Sequence, residues 1–282
     1  MTTPVKPRRL AVRSFGMTDI GKIRPANEDH FVVVELARTL CVHQSSVAQA
    51  PSQFSSHRGH VFIVADGIGG HKAGEVASAL TVVTIEKFLL NTLNRFFNLK
   101  SAEEAVVLAE FQSALMQADA RIFAETDQHP ELSGMGTTLT MAFAVDWKLY
   151  LAHAGDCRAY LFSGGKLQQL TQDHTMAAEL VRRGTLTAAE AAQNPYRHIV
   201  TNVVGGTQPG VKVEVHKLAL EAEDLLLICS DGLNEMVSDD RITEVLRSEP
   251  EPRGICERLI AEANAAGGKD NITVVVGIFR EA

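Results

Sequence analysis

Residues Gly136–Leu170 read GTTLTMAFAVDWKLYLAHAGDCRAYLFSGGKLQQL. Apolar, β-branched and aromatic side chains dominate Gly136–Val145, Lys148–Ala154 and Cys157–Phe162. Such short runs, separated by turn residues, are expected to be consecutive strands of a meander. Ser163-Gly-Gly165 then closes a tight hairpin into Lys166–Leu170, because glycine supplies the positive φ that such turns require.

Outward from this block the pattern alternates between strands and helices. Upstream, Leu10–Phe15, His30–Glu35 and Val61–Ala65 carry strand signals. Val82, Ile85, Leu89, Leu93 and Phe96 recur at helical spacing. The opposite side of that helix has Val76, Leu80, Val83 and Leu90, which predicts apolar contact over a wide arc. A second helix opens with the capping-box pattern Ser101-Ala-Glu-Glu104 and carries Leu108, Phe111, Leu115, Ala118 and Ile122. Downstream, residues 173–206 read as short helical pieces broken by Gly184, Pro195 and Gly205-Gly206, the least regular part of the chain and a candidate mobile flap. Strands return at Val211–Leu218 and Asp224–Cys229, then two helices over 239–247 and 252–266, ended by Gly267-Gly268, and a last strand at Ile272–Phe279.

Val42–Gly59 is polar and reads as a long surface hairpin loop, and no linker or repeat divides the chain. The expectation is a loose tail over residues 1–9 and one domain over 10–282. Blocks of strands interrupted by helix pairs argue for an α+β protein with antiparallel sheets packed together and helices outside.

With 282 residues, 45% of them hydrophobic, the chain is long enough to bury a core without disulfides. A net charge of −7 argues against general nucleic-acid binding. No apolar run approaches the ~20 residues of a membrane span, and Met1–Arg9 is no secretory signal. Three of the four cysteines (Cys41, Cys157, Cys229, Cys256) sit in apolar strand or helix patterns, as buried thiols would. The expected compartment is the reducing cytoplasm.

The chemical signal is the placement of acidic residues. Asp66-Gly67 ends Val61–Ala65, Asp231-Gly232 ends Leu225–Ser230, and Asp270-Asn271 precedes Ile272–Gly277. Asn27-Glu28-Asp29 precedes His30–Val34, and Asp156 lies between two strands. Singly, each is ordinary turn chemistry. Together they would place repelling carboxylates at the ends of the most hydrophobic strands, which is costly unless hard cations bind there. Oxygen ligands without His or Cys favour Mg²⁺ or Mn²⁺ over zinc, and a pair of such ions is the clamp used in phosphoester hydrolysis. Arg24 is either a surface arginine or a bidentate partner for a phosphate.

These blocks closely resemble the metal-dependent protein phosphatases of the 2C type (the PPM family), bacterial branch. The similarity runs in order through Asp19-x-Gly21-x-x-Arg24-x-x-Asn27-Glu-Asp29, Val64-Ala-Asp66-Gly67-Ile-Gly-Gly70-His71-x-Ala73-Gly74-Glu75 and Gly134-Met-Gly-Thr-Thr138. It continues through Ala154-Gly-Asp156-Cys-Arg158, Leu170-Thr-x-Asp173-His174, Ser230-Asp231-Gly232-Leu233 and Asp270-Asn271-Ile-Thr273. The resemblance implies a β-sandwich flanked by helix pairs, in α-β-β-α layers, and a phosphatase acting on phosphoserine and phosphothreonine in proteins. It implies that Asp66 bridges two core Mn²⁺ or Mg²⁺ ions, with the Gly67 carbonyl on one of them and Asp231 and Asp270 on the other. Glu28 and Asp29 would position water, Asp156 with Asp231 would bind a weaker third ion, and Arg24 would hold the phosphate. A metal-bridging water would attack phosphorus directly. The expected partners are phosphoproteins made by a Ser/Thr kinase, not membranes or nucleic acid. In the flap, Arg182, Arg183, Tyr196, Arg197 and His198 either touch such a phosphoprotein or are solvated loop residues.

One departure stands out. Many eukaryotic members carry a histidine after the Asp-Gly of the second block, where this chain has Ile68. The proton donor to the leaving group is therefore left open, with His71 as one candidate. Two other functions compete: a catalytically dead phosphoprotein-binding regulator, and a phosphoesterase acting on nucleotides or nucleic acid.

Overall fold

The computed structural model describes residues 9–42, 44, 46, 52–69, 72–96 and 104–282. The expected tail, the tip of the long hairpin, Gly70, His71 and the start of the capping box at Ser101 lie outside these residues, apart from Arg9. Strands β1 (Leu10–Asp19), β7 (Arg158–Ser163), β8 (Lys166–Gln169), β11 (Leu225–Cys229) and β12 (Ile272–Glu281) form one sheet in the order β1-β12-β11-β7-β8. The second sheet has the path β10-β6-β5-β3-β4-β9, with β2 paired to β3. Its strands are β2 (Asp29–Cys41), β3 (Ser52–Ile68), β4 (Gly136–Thr137), β5 (Leu139–Val145), β6 (Lys148–Ala154), β9 (Val204–Gly205) and β10 (Glu214–Ala219). The ladders between these strands are antiparallel.

Strand alternation sorts side chains into three cores. Phe62 and Val64 of β3 face between the sheets with Ile228 and Val275, while Val61, Ile63 and Ala65 face outward. Outward of the larger sheet lie α1 (Lys72–Phe96) and α2 (Glu104–Gln128), which contribute Ile85, Leu89, Phe111 and Leu115. Outward of the smaller sheet lie α5 (Asp231–Asn234), α6 (Asp239–Ser248) and α7 (Pro252–Ala265), with Leu233, Val245 and Leu259 against Val274 and Val276. Central strands buried on both faces read as continuous apolar runs for this reason. The expected α-β-β-α sandwich is what forms.

Three expectations need correction. The meander breaks after β6: β6 pairs within the larger sheet, but β7 pairs β11 in the smaller one, so Gly155-Asp156-Cys157 carries the chain from sheet to sheet. Val42–Gly59 is not all loop, because Ser52–Phe54 and Arg58–Gly59 still pair with β2 around an irregularity. The wide apolar arc of α1 is narrower than expected, since Val83 and Leu90 are exposed at 42% and 67%. The irregular segment 173–206 contains α3 (Met176–Arg182) and α4 (Ala188–Ala192), capped by Thr175 and Thr187.

A candidate metal-dependent phosphoester site

The candidate residues meet where the two sheets end. Asp66 and Asp29 are direct cross-strand partners on β3 and β2. Asp156 lies in the crossing between sheets, Asp231 begins α5 directly after β11, and Asp270 precedes β12. Arg24, Glu28, Asp66, Gly67, Asp156, Asp231 and Asp270 all line one cleft of about 770 Å³. Asp29 lies buried beside it rather than on its wall.

Local hydrogen bonds hold this rim. The Asp66 backbone is pinned to β4 and the residue after it: Thr138 N–H and Thr137 Oγ1–H both donate to its carbonyl at 2.8 Å. Asn271 is a clamp. Its Oδ1 accepts from Glu28 N–H at 2.8 Å, and its Nδ2 donates to the carbonyls of Ile20 and Ala26 at 3.0 and 2.9 Å, which closes the loop bearing Arg24. Gly232 must be glycine because a Cβ there would stand 2.0 Å from the Asn271 carbonyl oxygen. Gly67 is similarly confined, with a Cβ meeting the Gly74 carbonyl at 2.3 Å.

Beneath the cleft, Asp29 Oδ2 accepts from both Ser230 Oγ and Thr273 Oγ1 at 2.7 Å, linking the larger sheet to β12 and the end of β11. Ser230 and Thr273 were present in the sequence blocks without a role. Their signal is small: a hydroxyl at each end of an apolar strand.

The electrostatics are those of a site built for positive charge. Burial pushes Asp29 up to about 6, although the two hydroxyls oppose it. Burial and the nearby Asp173 push Asp156 up to about 7. Asp66 is driven well above the carboxylate range by burial and then by Asp29, Asp231 and Asp156. Asp231 is driven well up by burial and then by Asp156, Asp270 and Glu235. Oδ1 of Asp29 and Oδ1 of Asp231 are buried with no hydrogen-bond partner among the described residues. Such orphaned acceptors are rare in folded proteins and fit bound cations.

Arg24 forms an ion pair with Asp270 rather than reaching openly into the cleft, and its side chain is 54% exposed. Ile68 lines the cleft wall. Cys157 sits below with its thiol 3.0 Å from Thr138 Oγ1, pushed well above the thiol range by burial and by Asp66, so it is no nucleophile. Glu235 escaped assignment from sequence; it pairs at the rim with His198, which the sequence offered only as a flap residue able to touch a phosphoprotein.

The sequence family Protein phosphatase 2C matches residues 40–263. The chain belongs to this family. As a protein phosphatase 2C, it is similar to the serine/threonine phosphatase stp of Listeria monocytogenes, at 32% identity over 92% of each chain. The crystal structure of the Mycobacterium tuberculosis serine/threonine phosphatase PstP/Ppp matches at TM-score 0.77 and 32% identity, over 96% of this chain and 99% of that one. The PstP catalytic domain solved with two manganese ions matches at TM-score 0.75 and 32% identity, over 96% of this chain and all of that one. Like those structures, this protein phosphatase 2C is a mixed α/β molecule with antiparallel sheets. None of its described helices is long and apolar enough to cross a membrane.

Proposed function

We infer that this chain is a metal-dependent serine/threonine protein phosphatase that hydrolyses phosphoserine and phosphothreonine in proteins. The observation that carries the reading is the convergence of Asp66, Asp156, Asp231 and Asp270 with Arg24 on one cleft. In this reading Asp66 and the Gly67 carbonyl, with Asp231 and Asp270, hold two Mn²⁺ or Mg²⁺ ions, and Asp156 with Asp231 holds a weaker third. When bound, the ions supply a water of lowered pKa and neutralise charge on the phosphoryl group.

The protein's own residues do the remaining work. Arg24 exchanges Asp270 for the substrate phosphate, offering two parallel N–H donors to its oxygens. Glu28 and the buried Asp29 orient water and hold the rim from behind. Neither Cys157 nor Cys229 competes as nucleophile, since burial holds both protonated, which supports direct hydrolysis by water.

The substrates are the products of Ser/Thr kinases, and the proposed compartment is the cytoplasm, supported by free, buried Cys157, Cys229 and Cys256. The test compares a phosphothreonine peptide with a phosphorylated oligonucleotide, with Mn²⁺ and with EDTA. Peptide hydrolysis that EDTA abolishes is expected. Turnover in chelator, or preference for the oligonucleotide, would overturn the reading. Arg24→Ala should lower kcat/KM about 10–100-fold, mainly through KM, as expected for a lost charged hydrogen bond of roughly 1.5–3 kcal/mol.

A further inference from the structure

Outside the aspartate set, two clusters place metal-ligand atoms together among the described residues. In the first, His153 Nε2 faces the Gln172 carbonyl at 3.1 Å and its Nδ1 faces Thr140 Oγ1 at 2.8 Å. In the same cluster, His174 Nδ1 accepts from Gly155 N–H at 3.1 Å. Those ring nitrogens are committed to protein partners. The second cluster is His198, Asp231 and Glu235, whose ligand atoms lie within 4.8 Å of one another.

We propose that His198, Asp231 and Glu235 form a nitrogen-containing cation site at the cleft mouth, favouring Mn²⁺ or Zn²⁺ over Mg²⁺. It rests on the reading that the cleft binds divalent ions, and adds a ligand that the all-oxygen set lacks. Three observations carry it. Glu235 directly follows α5 and its N–H donates to the Asp231 carbonyl at 2.9 Å, so one helical turn brings the two carboxylates together. Asp231 keeps one buried oxygen without a hydrogen-bond partner.

His198 reaches this pair from the irregular segment, where its backbone is held on both sides. Arg197 N–H donates to Asn194 O at 3.1 Å, Met176 N–H to Ile199 O at 2.8 Å, and Val200 bridges to Thr175. Its Nδ1 faces the Glu235 carboxylate directly. One imidazole nitrogen beside two carboxylates is a mixed ligand set suited to borderline transition ions, whereas Mg²⁺ prefers oxygen alone. Asp156 lines the same cleft. An ion held here would also fasten segment 173–206 to α5.

The test uses the whole protein, stripped with chelator and titrated with Mn²⁺, Zn²⁺ and Mg²⁺ by calorimetry. Wild type should bind its weakest Mn²⁺ at least about tenfold more tightly than His198→Ala does, with the Mg²⁺ isotherm unmoved by the substitution. Pulsed electron paramagnetic resonance of the Mn²⁺-loaded protein should show coupling to ¹⁴N in wild type and in Glu235→Gln, and none in His198→Ala. Wild-type Mn²⁺ binding without ¹⁴N coupling, or equal Mn²⁺ isotherms, would make the His198–Glu235 contact an ion pair only and overturn this site while leaving the cleft's other ions standing. No Mn²⁺ binding by wild type would overturn both.

Discussion

Asp231 carries opposing demands. Burial and the charges of Asp156, Asp270 and Glu235 hold its carboxyl well above the ordinary range, so its ionised form is costly in the folded protein without cations. A carboxyl raised on folding stabilises the protein at low pH, and that contribution is lost as pH rises towards neutrality. Asp231→Asn should therefore raise the chelated protein's melting temperature by a few degrees, at about 2–4 °C per kcal/mol. The same variant should lose the Mn²⁺-induced rise in melting temperature and lower kcat by roughly 10²–10³. Paired thermal melts and steady-state kinetics, with and without Mn²⁺, check both. An unaltered Mn²⁺ response would remove Asp231 from the ligand set. The strand-end carboxylates were legible because each borders an apolar run and turn residues. Ser230 and Thr273 were not, because they meet Asp29 only when positions 201 and 244 residues away in the chain are brought together.

The crossing from β6 to β7 shows what local pattern leaves open at the level of elements. A two-residue gap between apolar segments fits a hairpin as well as a step between sheets. The difference lies in where the flanking side chains end: Ala154 packs with Phe143 and Leu115 outside the larger sheet, whereas Cys157 packs between the sheets with Ile228. Periodicity within each strand is the same either way. At the crossing, Gly155 takes φ +119° and a Cβ would stand 2.4 Å from Thr138 Cβ. His174 clamps it, donating its N–H to Gly155 O at 2.8 Å and accepting from Gly155 N–H at Nδ1. Gly155→Ala is expected to cost on the order of 2–4 kcal/mol, from backbone strain and overpacking together. Urea unfolding measures it, and a loss below about 0.5 kcal/mol would show that this turn relaxes freely. Most helices were legible from their 3.6-residue spacing; α3 and α4 were legible only as short helical pieces within 173–206, too brief to show their bounds, and α5 not at all.

The pH response of the whole molecule should carry the mark of the fully buried His153. Burial and the neighbouring His174 lower its pKa to about 4. A histidine lowered on folding stabilises the protein fully above about pH 6.5, and that stability is lost as pH falls towards 4. At pH 5 the loss is about 2 kcal/mol relative to pH 8. Aspartates raised on folding act in the opposite direction, so the informative quantity is the difference between wild type and His153→Gln. That difference should shift by about 2 kcal/mol between pH 8 and pH 5 in denaturant titrations. A constant difference would mean that His153 does not stay neutral in the fold.

The pairing of β1 with β12 along its whole length has a consequence for birth on the ribosome. In the smaller sheet, β12 is the strand between β1 and β11, so these two have no ladder to join until it emerges. Asp270 lies two residues before that same strand. A nascent chain therefore cannot bring Asp270 to the cleft beside Asp66 and Asp231 until synthesis has passed that point.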